Sequence, residues 1–206
     1  MKILPVDPSP TKPSPTKSSP GKPLRADARR NRERLLATAR ELFLGGKLDF
    51  PLEDIARRSG VGVGTIYRHF ETREALIEAV YQQEIGTLCA CADELLGRLS
   101  ADDALAAFLG QMIDYAANNR GLAAALCSIP DAPAFTAGPR LLMEAVSRLM
   151  RLAVAERRLR ADVEPGTVLT VITSLCRVND DPGWKAQAHA VVALLLDGLR
   201  LGVARP

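Results

Sequence analysis

Apolar side chains recur at helical spacing along most of the chain. In RADARRNRERLLATARELFLGG (25–46), Leu35, Leu36, Ala39, Leu42 and Phe43 fall at i, i+1, i+4, i+7 and i+8, one face of a helix that Gly45 and Gly46 stop. After Pro51 a short helix, LEDIARRS, turns Leu52, Ile55 and Ala56 inward. Proline suits its first turn, and Glu53 and Asp54 suit the positive end of its dipole. Gly60 breaks it, and a second short helix follows over roughly 62–69. From Thr72, placed to N-cap, a long helix is expected to about residue 98, with Ile77, Tyr81, Ile85, Leu88, Ala92, Leu95 and Leu99 at spacings of three and four. Further helical patterns cover about 101–118, 121–128, 134–158, 165–179 and 182–201, punctuated by Pro130, Pro133, Pro165 and Pro182. No stretch reads as a strand, so the expected class is all-α, built of about nine helices.

Residues 1–24 break this pattern, holding seven of the fourteen prolines with scattered lysines. Too few apolar groups remain there to offset ordering entropy, so a disordered basic tail is expected, which can also serve as an arm on DNA phosphates. Charge divides the chain further. Residues 1–82 carry 15 Lys/Arg against 10 Asp/Glu, and the remainder carries 12 against 14. A basic front end points to a polyanionic partner, or else to ordinary scatter of surface charge. The four cysteines and two histidines give no disulfide or zinc pattern: Cys89 and Cys91 point to different sides of a helix, while Cys127 and Cys176 stand alone. No metal or cofactor is therefore expected, and no apolar run suits a membrane span or a signal core. The expected location is cytoplasmic.

The stretch RRSGVGVGTIYRHF (57–70) admits two readings. A dinucleotide loop needs G-x-G-x-x-G between a strand and a helix, and a Walker loop needs G-x-x-x-x-G-K-[ST]. Gly60, Gly62 and Gly64 meet neither requirement, and nothing in the chain alternates as βαβ. A helix-turn-helix fits better. Ala56 lets two helices pack closely, Gly60 supplies a left-handed turn, and Val61 and Ile66 join Ile55 in a shared core. Gly62, Val63, Gly64, Thr65, Tyr67, Arg68 and His69 are then left around the exposed start and surface of the second helix.

These residues carry a resemblance. The run from Arg25 to Val80, above all LEDIARRSGVGVGTIYRHFETREALIEAV, closely resembles the DNA-binding domain of the TetR family of transcriptional regulators, and RADARRNRERLL is similar to its SbtR-like subgroup. Beyond residue 100 the similarity is architectural. The resemblance implies a DNA-binding domain over 25–71 and a ligand-binding and dimerisation domain over 72–206. It implies that the helix over 62–69 enters the major groove, with Val63, Gly64, Thr65 and Arg68 nearest the bases. Tyr67, His69 and Arg73 then hold the phosphate backbone. Tyr67 can equally pack the small core, and His69 can cap its helix. Few polar groups remain for base readout, so specificity is expected to rest partly on Arg68, Thr65 and DNA shape, with backbone contacts supplying most of the affinity.

The resemblance further implies a homodimer on a near-palindromic operator, joined through the last two helices. Two stripes are available, Val168, Ile172 and Leu175, and Val191, Leu194, Leu195 and Leu199; an intrachain core would show the same stripes. A largely apolar small-molecule effector would sit among the middle helices, with Cys89, Phe108, Met112, Tyr115, Leu126, Phe135 and Met143 as candidate lining. Asp114, Asn118, Asn119 and Arg177 are candidate polar anchors. The expected function is a repressor released from double-stranded DNA by that effector. The rivals are a regulator controlled by a partner or acting as an activator, and an enzyme using the glycine stretch, for which no catalytic set is visible.

Overall fold

A computed structural model describes residues 22–45, 50–127, 137–176 and 181–200, side chains at 22–25, 124–127 and 137 excepted. Of the tail expected over 1–24, residues 1–21 lie outside these residues, but Lys22, Pro23 and Leu24 form the first turn of α1, where proline is tolerated because its missing N–H has no helical partner there. Among the described residues there are nine helices and no strand: α1 (Lys22–Leu44), α2 (Leu52–Ser59), α3 (Val63–His69), α4 (Arg73–Leu96), α5 (Ala101–Asn118), α6 (Arg120–Cys127), α7 (Ala137–Ala155), α8 (Pro165–Leu175) and α9 (Trp184–Arg200). The all-α expectation holds.

Two apolar cores organise them. In the first, Leu35, Leu36, Ala39, Leu42 and Phe43 of α1 meet Ile55 and Ala56 of α2 and Ile66 of α3, with Val61 and Phe70 beside them. Leu76, Ile77 and Val80 from the first turns of α4, and Leu122 from α6, close this core. The second core lies between α4, α5, α7, α8 and α9, around Phe108, Leu109, Ile113, Val146, Leu149, Ile172 and Val192. Burying a side chain of this size stabilises by about 1.5–3 kcal/mol relative to leaving it exposed, so each core is held by many interchangeable contributions. Tyr81 of α4 packs against both cores.

Local chemistry sets the ends. The Ala75 N–H donates to Thr72 Oγ1 at 3.1 Å, the expected cap of α4. Gly60 stands at φ 65°, ψ 29°, and its N–H donates back to α2. Arg34 of α1 reaches the same helix end, donating from Nη2 to the Ser59 carbonyl at 2.5 Å. Two ends fall short of expectation. α4 stops at Leu96, which leaves Leu99 outside the helix and 42% exposed. α7 stops at Ala155 because Arg157 adopts a left-handed φ of 56°, and Arg158 and Leu159 donate to the Ala153 carbonyl. No glycine announces that turn.

Candidate nucleic-acid interface

α3 is held from behind by Ile66, which is fully buried, with Val61 and Phe70 nearly so. Seven residues make barely two turns, so this single inward anchor fixes which side faces out. The outward side carries Val63, Gly64, Tyr67 and Arg68 at i, i+1, i+4 and i+5, all exposed. Thr65 and His69 lie half-buried at its edge. Gly62 is the extended N-cap of the helix and needs no special backbone. A Cβ built on Gly64 would meet no protein atom within 4 Å, so nothing inside the chain requires glycine there.

Cations and rings frame this face. Arg32 of α1 lies 5.4 Å from the Phe70 ring centroid, and Arg73 lies 5.6 Å from that of Phe50. Arg73 is half-buried, and its Nε has no hydrogen-bond partner among the described residues. Arg57 and Arg58 stand exposed at the end of α2, Arg57 paired with Asp54 at 2.6 Å. Tyr67 is 43% exposed, so it belongs to the surface and not to the small core. Its hydroxyl donates to Glu53 Oε1 of α2 at 2.5 Å. That bond pushes the phenol above its ordinary range and holds the Glu53 carboxyl below its own. Glu53 reads from sequence as a residue of the helix dipole; nothing there shows its link to α3, fourteen positions on.

The residues expected to contact an effector are distributed unevenly. Phe108 and Met112 are buried in the second core, Cys89 and Tyr115 are half-buried beside it, and Met143 is 37% exposed, on the surface. The Leu126 side chain, Phe135 and Arg177 lie outside the described residues. Burial pushes the Cys89 and Cys176 thiols up to about 11, with Glu144 and then Cys91 adding to the effect at Cys89. Burial raises the Tyr81 and Tyr115 phenols, helped at Tyr81 by Cys89 and Cys176 and at Tyr115 by Glu84 and Tyr81.

The expected polar anchors are engaged elsewhere. Asp114 turns to α9, accepting from Lys185 at 2.9 Å and meeting His189 Nε2 at 3.0 Å. Asn119 ends α5 by donating to the Tyr115 carbonyl at 2.8 Å, and Asn118 is exposed. Two polar atoms within this half instead have no hydrogen-bond partner among the described residues, Tyr115 Oη and Gln111 Oε1. They sit one turn apart on α5, on one side of the helix. Gln111 is not discernible from sequence, because its neighbours give no sign that its amide turns inward.

The expected dimer stripes divide in two. Val168 and Ile172 are fully buried within the chain and Leu199 nearly so, which removes them from any outward surface. They lie in the second core, where α8 packs on α7 and α5 and α9 packs on α5. Leu175 and Leu195 are half-buried, while Val191 and Leu194 are 36% and 72% exposed. Between Ala190 and Leu196, α9 carries no charge. Among the described residues no helix is long and apolar enough to cross a membrane, and no cluster of His, Cys, Asp and Glu is disposed to hold a metal.

Comparison with known proteins matches two separate parts of the chain. Residues 35–80 match the profile of bacterial regulatory proteins of the tetR family, and residues 100–201 match that of the C-terminal domain of SbtR-like transcriptional regulators. The crystal structure of the TetR transcriptional regulator SCO0520 from Streptomyces coelicolor is 37% identical, covering 82% of this chain and 98% of that one, with a TM-score of 0.64. A TetR transcription regulatory protein from Mycobacterium vanbaalenii is 33% identical over 87% of this chain and all of its own, again at 0.64. A curated relative, the HTH-type transcriptional regulator SAR0097 of Staphylococcus aureus, is 35% identical over 74 residues, which span 39% of its length.

Proposed function

The chain belongs to the TetR family of transcriptional regulators, and on that premise we propose that it is a dimeric repressor which a small neutral effector releases from a near-palindromic DNA site. The single observation that carries the DNA half is the exposed face of α3, where Val63, Gly64, Tyr67 and Arg68 stand together over a fully buried Ile66. In this reading residues 25–71 form the DNA-binding domain and residues 72–206 the sensing and dimerisation domain. Arg68 reaches base edges, Val63 and Thr65 touch thymine methyls, and Tyr67, His69 and Arg73 position the backbone. Gly64 lets the helix seat closely. The protein works in the cytoplasm, and no catalytic step is part of its function.

The exposed side of α9 around Val191 and Leu194, with Leu195 and Leu175 at its margin, supports dimerisation: a solvent-facing leucine on an uncharged helix face is covered favourably by a second copy. The effector half rests on Tyr115 and Gln111. An unmade hydrogen bond inside a protein costs about 1–3 kcal/mol, which a ligand recovers by offering an acceptor to the Tyr115 hydroxyl and a donor to Gln111 Oε1. Glu84 is already occupied by Arg40 at 2.7 Å, and Asp114 by α9, so neither of these carboxylates is left to invite a cationic ligand.

The same ion pair offers a route for release. Arg40 belongs to α1 and Glu84 to α4, and both act electrostatically on Tyr115. A ligand at Tyr115 therefore changes the surroundings of a bond that ties the reading head to the sensing helices. Selection of bound sequences from random DNA with the purified protein tests the whole. The expected result is a two-fold symmetric consensus bound by a dimer. Absence of any salt-sensitive duplex binding overturns the proposal.

A further inference from the structure

Tyr67 and Glu53 share more than proximity. A phenol has one O–H, and in the free protein it is committed to Glu53 Oε1 at 2.5 Å. Among the described residues Glu53 has no cationic partner, whereas its neighbour Asp54 is paired with Arg57. Across neutral pH the carboxyl is charged and the phenol keeps its proton, since each shifts away from that range. A DNA phosphate oxygen makes the same demand on Tyr67 as the carboxylate does. One donor thus faces two acceptors, and the internal one carries a negative charge onto the face that phosphates must approach.

We propose that Glu53 is a built-in competitor for DNA: its carboxylate stands in for a backbone phosphate, holds Tyr67 in the free protein, and must surrender the hydroxyl when α3 seats on a duplex. The inference rests on the reading of α3 as the DNA-contacting helix and adds a residue to it. The exchange needs no proton transfer, because the O–H only changes acceptor. Glu53 stays at the positive end of α2 after losing its partner, which limits what the exchange costs. Since every duplex presents phosphates, the competition weakens all of them alike, and contacts to bases then decide which sites are held.

A double-mutant cycle on the full chain tests this, using fluorescence anisotropy with the selected consensus duplex and an unrelated duplex at one salt concentration. Glu53→Gln is expected to tighten both by about fivefold, the effect of replacing one charge-assisted hydrogen bond by a neutral one. In a Tyr67→Phe background the same change should give less than about twofold, the effect of one exposed charge. Glu53→Asp keeps the charge but shortens its reach, and should tighten binding nearly as much as Glu53→Gln. Both side chains are on the surface, so melting temperatures are expected to fall by no more than about 2–4 °C, from the charge or bond lost at the start of α2.

Equal gains in the two backgrounds would show that charge alone acts, and would overturn the proposal. So would weaker binding by Glu53→Gln, which would make Glu53 a helper that orients Tyr67. A wild-type protein that binds no duplex overturns the DNA reading and this inference with it; additive effects in a protein that does bind overturn this inference alone.

Discussion

The two halves of this chain break the ordinary rules of a water-soluble surface in opposite ways. The first core is apolar within and cationic without: Ile55, Ile66 and Phe43 are sealed, while Arg32, Arg58 and Arg68 stand in solvent. Open space lies on its outside, over Gly64, where an added Cβ would meet no described atom within 4 Å. Among the described residues the second half keeps Tyr115 Oη and Gln111 Oε1 without partners on its inside and an apolar side chain, Leu194, exposed on its outside, while the first face has one such polar atom, Arg73 Nε. If the proposed function holds, a second copy and an effector fill these gaps in the second half, whereas the first half meets its polyanion with its core already closed.

The largest test of the contrast is Leu194→Arg. If the exposed side of α9 is the surface that a second copy covers, a charge there should leave a folded monomer by sedimentation. Binding to the symmetric consensus should weaken by about 100-fold or more, since two linked half-sites become independent. A dimer that persists would move the interface elsewhere and make the exposed leucine incidental. Next in size is Arg68→Ala. Loss of a base contact should weaken consensus binding by roughly 1–3 kcal/mol while affinity for unrelated DNA changes little, measured by competition with both duplexes. Uniform weakening would reassign Arg68 to the backbone.

How much of each half was legible follows the same line. α2 and α3 are legible nearly to the residue because chemistry visible in one short stretch sets their limits, Pro51, Gly60, Thr72 and one inward anchor, whereas nothing in the sequence marks the start of α1 at Lys22. The second half yielded its helices but not their orientation. Val168 and Val191 look alike as sequence, yet one is fully buried and the other 36% exposed, because α8 and α9 are apolar on more than one side. Contacts far apart in sequence were equally hidden. Leu122 completes the first core from α6, and Glu53 meets Tyr67, and no local pattern encodes either.

A medium-sized effect probes what locks the second half together. Asp102, its side chain only 7% exposed, pays for desolvation but accepts from Ser100 and Arg200 and faces Arg158, so its carboxyl is held below the usual range. The depressed folded value means that its contribution is present above the ordinary aspartate pKa near 3.9 and is lost as pH falls below it. Asp102→Asn should therefore cost about 2 kcal/mol at neutral pH by urea unfolding, and the loss should shrink toward pH 3. A constant difference at all pH values would assign the effect to packing.

Gly64→Ala is a smaller change in stability and a sharper one in function. The site is helical and open, so alanine should stabilise the fold by about 0.5–1 kcal/mol. DNA affinity should fall despite that gain, because the added methyl occupies the space that the duplex needs. A variant both more stable and equally tight would show that α3 never approaches DNA along this face.

Tyr115→Phe is the mirror of that experiment in the other half, and it moves stability least. Deleting a hydroxyl that already has a partner normally destabilises, by about 1 kcal/mol. Deleting one that the fold leaves unmatched should be neutral or raise stability by up to about 1 kcal/mol, since an uncompensated polar group no longer has to be kept from water. Chemical denaturation of the apo-protein decides between these signs. The variant should bind the consensus as tightly as wild type, because Tyr115 lies away from α3, yet it should no longer be released by compounds that release the parent. A destabilised variant with normal release would mean that the hydroxyl is satisfied within the fold, and the second half would then be as complete on its own as the first.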